Sequence, residues 1–184
     1  MKYNTDTVIV GTGVSGCFAA LNLPEDMKIL LITKSDLESS DSFLAQGGIC
    51  VLRDNQDYDS YFEDTMRAGH YENRKESVDI MIRSSGKIIE DLVGYGVEFE
   101  KDGEAFAYTR EGAHSRPRIL FHADVTGKEI TSKLLARVRE KNNVTIYEYT
   151  TMTDILEENG KCAGITVKTK SGEESSIYAD YTIL

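Results

Sequence analysis

Apolar residues first come as a short continuous run, Thr7-Val8-Ile9-Val10, that stops on Gly11, and again as Lys28-Ile29-Leu30-Leu31-Ile32-Thr33. Continuous runs of that length predict strands buried on both faces of a parallel sheet. Phe18-Ala19-Ala20-Leu21-Asn22-Leu23 between them reads as helix, so the chain opens on a βαβ unit. The spacing becomes helical from about Asp59 to Ala68 and from about Lys75 to Gly94, with Val78, Ile82, Ile88, Ile89 and Leu92 as the buried faces. Between Phe99 and His122 the pattern breaks into polar and aromatic residues, an irregular stretch dense in functional side chains. Thr126-Gly127-Lys128-Glu129 has the spacing of a capping box and predicts a helix through Leu134, Leu135 and Val138 to about Lys141. Val144 to Tyr147 predicts a third strand. Cys162 to Lys168 and Glu174 to Ala179, turning at Ser171-Gly172, predict a small antiparallel meander, and Tyr181 to Leu184 the start of another buried strand. An unfinished apolar edge is an aggregation liability, so the sequence is expected to be truncated within its fold.

The 184 residues, 40% hydrophobic and 28% charged, suffice for one domain with an inserted lobe. A formal charge of -10 argues against nucleic-acid or anionic-membrane partners, which call for a basic stripe. No apolar run approaches a bilayer span, and the N-terminal run lacks a cleavage site, which makes the cytoplasm the expected compartment. Cys17, Cys50 and Cys162 have neither disulfide nor metal-site spacing, so no metal is expected. Cys17, at the start of the first helix, is either a packing residue, the favoured reading, or a thiol of lowered pKa.

Gly11-Thr12-Gly13-Val14-Ser15-Gly16 lies between the first strand and helix, where a dinucleotide-binding loop belongs. Gly11 permits the turn, Gly13 lets the backbone approach a pyrophosphate, Gly16 packs helix on strand, and the helix N-terminus faces the phosphates. A nicotinamide domain would place an acid after the second strand; Thr33-Lys34 weakens NAD and by itself leaves NADP open. Two βα units, a long excursion, a helix and strand, a meander and a returning strand resemble the flavoprotein version of this fold, and that resemblance favours FAD. The fold class expected is α/β: a Rossmann-like FAD-binding domain with parallel sheet, β-meander and helical excursion, residues 1–184 being its N-terminal part.

The glycine loop, Thr33-Lys34, Ala45-Gln46-Gly47-Gly48-Ile49 and Thr109-Arg110-Glu111-Gly112-Ala113-His114-Ser115-Arg116-Pro117-Arg118 resemble, in order and spacing, the L-aspartate oxidase family of the succinate dehydrogenase/fumarate reductase flavoproteins. The resemblance spans essentially the whole chain. It implies pyrophosphate contacts from Gly11, Thr12, Gly13, Val14, Ser15 and Gly16, adenosine contacts from Lys34 and, near adenine, Thr151-Met152. It also implies flavin contacts from Asp41, Ser42, Phe43, Leu44, Ala45, Gln46, Gly47 and Gly48. Small residues in that last run would let backbone N–H groups approach the flavin, the bland alternative being a flexible loop. Succinate dehydrogenases carry a flavin-linking histidine where this chain has Asp41, which implies non-covalent FAD.

The resemblance also implies that Glu111 orients a substrate ammonium; a buried carboxylate would attract L-aspartate and repel succinate. The alternative is a solvated loop glutamate paired with Arg110 or Arg116. His114 reads either as a proton shuttle or as a structural histidine. His122 and Asp124 read as braces of the loop, Arg110, Arg116 and Arg118 as cations near anions, and His70 as surface. The implied reaction is oxidation of L-aspartate to iminoaspartate, the first step of quinolinate and NAD synthesis, with hydride leaving Cα for flavin N5. Oxygen or fumarate would be the electron acceptor and quinolinate synthase the metabolic successor. The family's proton-transferring arginine, carboxylate clamps and capping lobe lie beyond position 184, so this stretch alone is expected to be inactive. The alternatives are a soluble fumarate reductase or succinate dehydrogenase-type flavoprotein and a nucleotide-binding module without redox chemistry.

Overall fold

The apolar run that opens the chain lies in the middle of a six-stranded sheet, in the order β7-β2-β1-β10-β9-β8. A computed structural model describes residues 2–184. Their contacts divide into two units, one from the chain up to Leu44 and from Ile130 onward, the other from Ala45–Glu129.

In the first unit β1 (Lys2–Val10) pairs in parallel with β2 (Ile29–Ile32) on one side and β10 (Glu174–Ile183) on the other. β7 (Val144–Tyr147) continues the parallel set beyond β2. All four residues of β2 are buried, as a central parallel strand covered on both faces requires. β9 (Lys161–Thr169) and β8 (Thr150–Glu158) extend the sheet antiparallel beyond β10. Val8, Leu30, Ile32, Ile165, Val167 and Ile177 form the core, so the parallel and antiparallel parts share one apolar layer. The crossover helix α1 (Val14–Asn22) buries Cys17 and Ala20. Burial pushes the Cys17 thiol up to about 12, and Cys17 Sγ donates to the Thr12 carbonyl at 3.3 Å, which makes it a packing residue. α2 is the single turn Asp41–Leu44, where a loop was expected; Ser40 Oγ accepts the Phe43 N–H at 3.2 Å at its start.

Three expectations are corrected here. Glu174–Ala179 and Tyr181–Leu184 are not two strands: β10 runs unbroken from Glu174 to Ile183, and Asp180 and Tyr181 simply face solvent. β8 was not expected, because an exposed edge strand rich in Asp and Glu shows no apolar alternation; its two register irregularities bend it, a common edge device. α5 (Thr126–Glu140) has Thr126 as its first helical residue, not as the cap before it. Thr126 Oγ1 instead accepts the His122 N–H at 3.0 Å, and Glu129 Oε1 accepts the Glu98 N–H at 3.0 Å.

The second unit packs α3 (Tyr58–Ala68) on α4 (Lys75–Gly94) around Tyr61, Met66, Val78 and Ile82. On α4 Ile88 is only half-buried; Ser85 takes a buried place, donating to the Ile82 carbonyl at 2.6 Å and accepting the Leu52 N–H at 2.9 Å. The irregular stretch holds short pairings, β3 (Ile49–Cys50) with β6 (Ile119–Leu120) and β4 (Lys101–Asp102) with β5 (Ala105–Phe106). Among the described residues no helix is long and apolar enough to cross a membrane.

Candidate functional site

β1 is where the strand order reverses, with β2 and β7 to one side and β10 to the other. Ligands of open α/β sheets bind outside the carboxyl ends of the strands at such a point. There the first unit has a cavity of about 440 Å³, lined among others by Gly11, Thr12, Gly13, Lys34, Asp41 and Met152. The structure therefore brings together sequence-selected residues from four separate segments. Val14, Ser15 and Gly16 form the first turn of α1 behind that wall. The sequence reading assigned no ligand contact to Thr33, Ser39, Ser40 or Thr150, which also line it. The Ser-rich run after β2 was the available signal for two of them.

Gly11 and Gly16 do the structural work assigned to them. Gly11 has φ +109°, a conformation closed to most side chains. A Cβ on Gly16 would collide with the Gly11 carbonyl oxygen, so the loop and helix touch backbone to backbone. A Cβ on Gly13 would come 2.8 Å from Ser42 Oγ, so part of its constraint comes from the protein itself.

The residues present fit a dinucleotide phosphate. α1 is capped by Gly13 without a side-chain hydrogen bond and carries no acid in its first turn, leaving its N–H groups and positive dipole end for an anion. Thr12 is 1% exposed, and its hydroxyl has no hydrogen-bond partner among the described residues. A buried polar group without a partner is costly unless a ligand satisfies it.

In the second unit Ala45, Gln46 and Gly47 are exposed and Gly48 half-buried. A Cβ on Gly47 would lie 3.4 Å from Glu111 Oε2, so the Glu111 carboxylate sits against this glycine run. Glu111 is exposed rather than buried in this stretch of the fold, and its carboxylate has no ion-pair partner among the described residues. The pairing with Arg110 or Arg116 that the alternative reading called for is not made among the described residues; Arg116 Nε instead lies 3.9 Å from Asp57 Oδ1.

Arg118 is corrected most. It is not a cation available to ligands: it is wholly buried, and its guanidinium is enclosed by acceptors. Nε and Nη2 donate to Asp57 at 2.9 and 2.8 Å, Nη2 also to Ser60 Oγ at 2.8 Å, and Nη1 to Asp64 Oδ2 at 2.7 Å and His114 Nδ1 at 3.0 Å. Hydrogen bonding to Asp57 raises the guanidinium pKa against the burial that lowers it. Burial pushes Asp64 up, but Ser115 and Arg118 outweigh it and bring the carboxyl down to about 2.

A guanidinium can only donate, so His114 Nδ1 accepts and the neutral ring keeps its proton on Nε2, 3.1 Å from Cys50 Sγ. Burial and Arg118 hold the imidazole below its ordinary pKa. Both ring nitrogens of His114 are thus engaged within the fold. His122 donates Nδ1–H to the Glu98 carbonyl at 2.8 Å, since a carbonyl can only accept, and the Asp57 and Asp64 carboxylates that organise the unit were not singled out in the sequence. Their seven-residue spacing along α3 and its N-terminal edge, which puts two acids on one face with buried Tyr61 between them, was the signal.

The FAD binding domain family matches residues 6–184. The L-aspartate oxidase of Clostridium perfringens is 42% identical over 184 residues, which is 100% of this chain and 42% of that protein. The L-aspartate oxidase of Synechocystis sp. is 38% identical over 165 residues, 88% of this chain and 30% of the relative. This chain thus spans about two fifths or less of the relatives it matches. Among solved structures, an Escherichia coli quinol fumarate reductase superposes with a TM-score of 0.92 at 23% identity, covering 99% of this chain and 32% of that one. A Mycobacterium smegmatis Sdh1 complex gives 0.88 at 22%, covering 98% and 34%. These two likenesses show the shared α/β fold. With the loop, the cavity and the unsatisfied Thr12 hydroxyl in place, the chain belongs to the FAD binding domain family, and FAD is its cofactor.

Proposed function

We propose that this chain is the N-terminal, FAD-binding part of an L-aspartate oxidase, which oxidises L-aspartate to iminoaspartate. The observation that carries the reading is 42% identity to an L-aspartate oxidase over the entire chain, a stretch that includes Glu111 in its Arg-Glu-Gly setting. FAD, when bound, supplies the two-electron acceptor; the protein supplies orientation and electrostatics.

The first unit holds the adenosine and pyrophosphate through Thr12, Gly13, the α1 N-terminus and Lys34. The Ala45–Gly48 run offers backbone N–H groups to the flavin. Asp41 leaves the flavin without a covalent anchor, so FAD is bound non-covalently. Glu111 meets the substrate ammonium. In this chain, which spans 42% of that relative's length, Glu111 is exposed. Oxygen or fumarate accepts the electrons, and a quinolinate synthase consumes the imine.

The test is anaerobic bleaching of flavin absorbance in the full-length enzyme that carries this chain. L-Aspartate should bleach it and succinate should not, and Glu111→Gln should weaken the response to aspartate. Bleaching by succinate, or indifference to the substitution, would move the protein to the fumarate reductase side.

A further inference from the structure

We infer that Asp64 is a positioning residue that fixes the place of Glu111, and through it the choice between amino and non-amino dicarboxylates; this rests on the function proposed above. Glu111 stands on a tight turn. Gly112 has φ +52°, and the His114 N–H closes the turn on the Glu111 carbonyl at 3.2 Å. Among the described residues the exposed glutamate side chain has no ion pair to hold it, so its direction depends on how the turn is anchored.

The three residues after Gly112 are each tied to one group of charges on α3 and Arg118. Arg67 reaches the Ala113 carbonyl at 3.5 Å, and Arg118 donates to His114 Nδ1. The Ser115 N–H and hydroxyl donate to Asp64 Oδ2 at 2.7 and 2.6 Å. Asp64 is the common member. Oδ1 accepts from Arg67 at 2.7 Å, while Oδ2 accepts from Arg118 as well as from Ser115. Asp64 is 3% exposed and rides on a regular helix whose neighbouring turn is packed through Tyr61. It thus carries the rigidity of α3 into an otherwise irregular loop.

Rigidity of that kind matters for recognition because a carboxylate that must meet one ammonium gains from being held in place beforehand. Displacing a binding group by about 1 Å can cost on the order of 10²-fold in rate. An aspartate suits this role because one charged oxygen can take the paired N–H and O–H of Ser115 together with an arginine, giving short charge-assisted bonds. Asparagine keeps the size but presents an amide nitrogen or a neutral oxygen to these donors.

The experiment compares flavin bleaching by L-aspartate and by succinate in the full-length FAD-loaded enzyme, for wild type, Asp64→Asn, Glu111→Gln and the double variant. In Asp64→Asn the aspartate-to-succinate preference should fall about tenfold or more, chiefly through KM for aspartate, with bound FAD retained. Glu111→Gln should cost much less in the Asp64→Asn background than in wild type, a coupling that general loss of stability does not produce. An unchanged preference in Asp64→Asn, beside a collapsed one in Glu111→Gln, overturns the positioning role and leaves the proposed function standing. An unchanged preference in Glu111→Gln overturns both. If Asp64→Asn does not fold with FAD, Ser115→Ala, which removes one donor and leaves the Arg118 pair, should lower the preference about threefold; no change there overturns the inference.

Discussion

Arg118 and Asp57 form a two-point ion pair out of reach of solvent, Nε to Oδ2 at 2.9 Å and Nη2 to Oδ1 at 2.8 Å. The pair matters because Asp64 shares the same guanidinium, so removing one cation takes a buried partner from two buried carboxylates and leaves Asp64 with Arg67 and Ser115. Arg118→Met should lower the unfolding free energy by about 3–5 kcal/mol, the usual cost of breaking a buried pair from one side. Arg118→Lys keeps the charge but cannot span both acids with a planar fork, so it should lose part of that amount. Urea denaturation measures both; a loss below about 1 kcal/mol for the methionine variant would mean that the cluster does not stabilise the second unit.

The same cluster sets a direction of pH dependence. Asp64 has its carboxyl held from 3.8 down to about 2, so its stabilisation is complete above its ordinary pKa and is lost as pH falls through about 2. A shift of that size corresponds to about 2 kcal/mol. His114 is lowered from 6.5, so the unfolded chain takes up its proton first and stability begins to fall as pH drops below that value. Both groups therefore favour unfolding in acid. Denaturation midpoints should fall from pH 7 to pH 5, and His114→Gln should flatten that part of the profile. A wild-type midpoint that rises toward pH 5 would reverse the sign assigned to His114.

The βαβ opening was legible in the sequence because each glycine has a local job, and Gly11 with φ +109° and Gly16 against the Gly11 carbonyl bear this out. α4 was legible to the residue, since its 20 residues repeat an apolar stripe often enough to be read. β8 was not, because it is an exposed edge whose partners, not its own pattern, define it. Arg118 was misread for a related reason: a charged residue in a loop reads as solvated unless its acids are known, and these lie on and beside α3, some 54 and 61 positions away in sequence. Long-range pairing of charge leaves little local trace.

Gly13 and Gly16 separate two kinds of crowding. A Cβ on Gly16 meets a backbone carbonyl that cannot move without breaking the loop, so Gly16→Ala should reduce FAD affinity at least about tenfold. A Cβ on Gly13 meets Ser42 Oγ, the tip of a side chain that can turn away. If Ser42 is the obstacle, Ser42→Ala should restore affinity to Gly13→Ala. If the pyrophosphate needs the space, it should not, and flavin fluorescence titration distinguishes the two. Because Gly13 also opens α1, we expect no rescue.

Asp41 begins α2 and is exposed, and a carboxylate does not form the imidazole linkage that holds flavin in succinate dehydrogenases. Acid precipitation of the yellow holoprotein should therefore leave all flavin in the supernatant. Fluorescence that stays with the denatured polypeptide would refute the non-covalent assignment.

Thr12 offers the sharpest prediction because one substitution should act with opposite signs on two measurements. Its hydroxyl is buried and unpartnered among the described residues, so Thr12→Val replaces a polar atom by an apolar one of nearly the same shape. In the cofactor-free protein this relieves an unmet hydrogen bond and should raise stability by about 1 kcal/mol. If, as proposed, the same hydroxyl donates to a phosphate oxygen of bound FAD, the variant should bind FAD about tenfold more weakly and gain less thermal protection from it. Melting curves with and without FAD measure both effects in one titration. A variant that is destabilised without cofactor would show that the hydroxyl is satisfied within the fold, and one that binds FAD unchanged would show that the ligand does not use it.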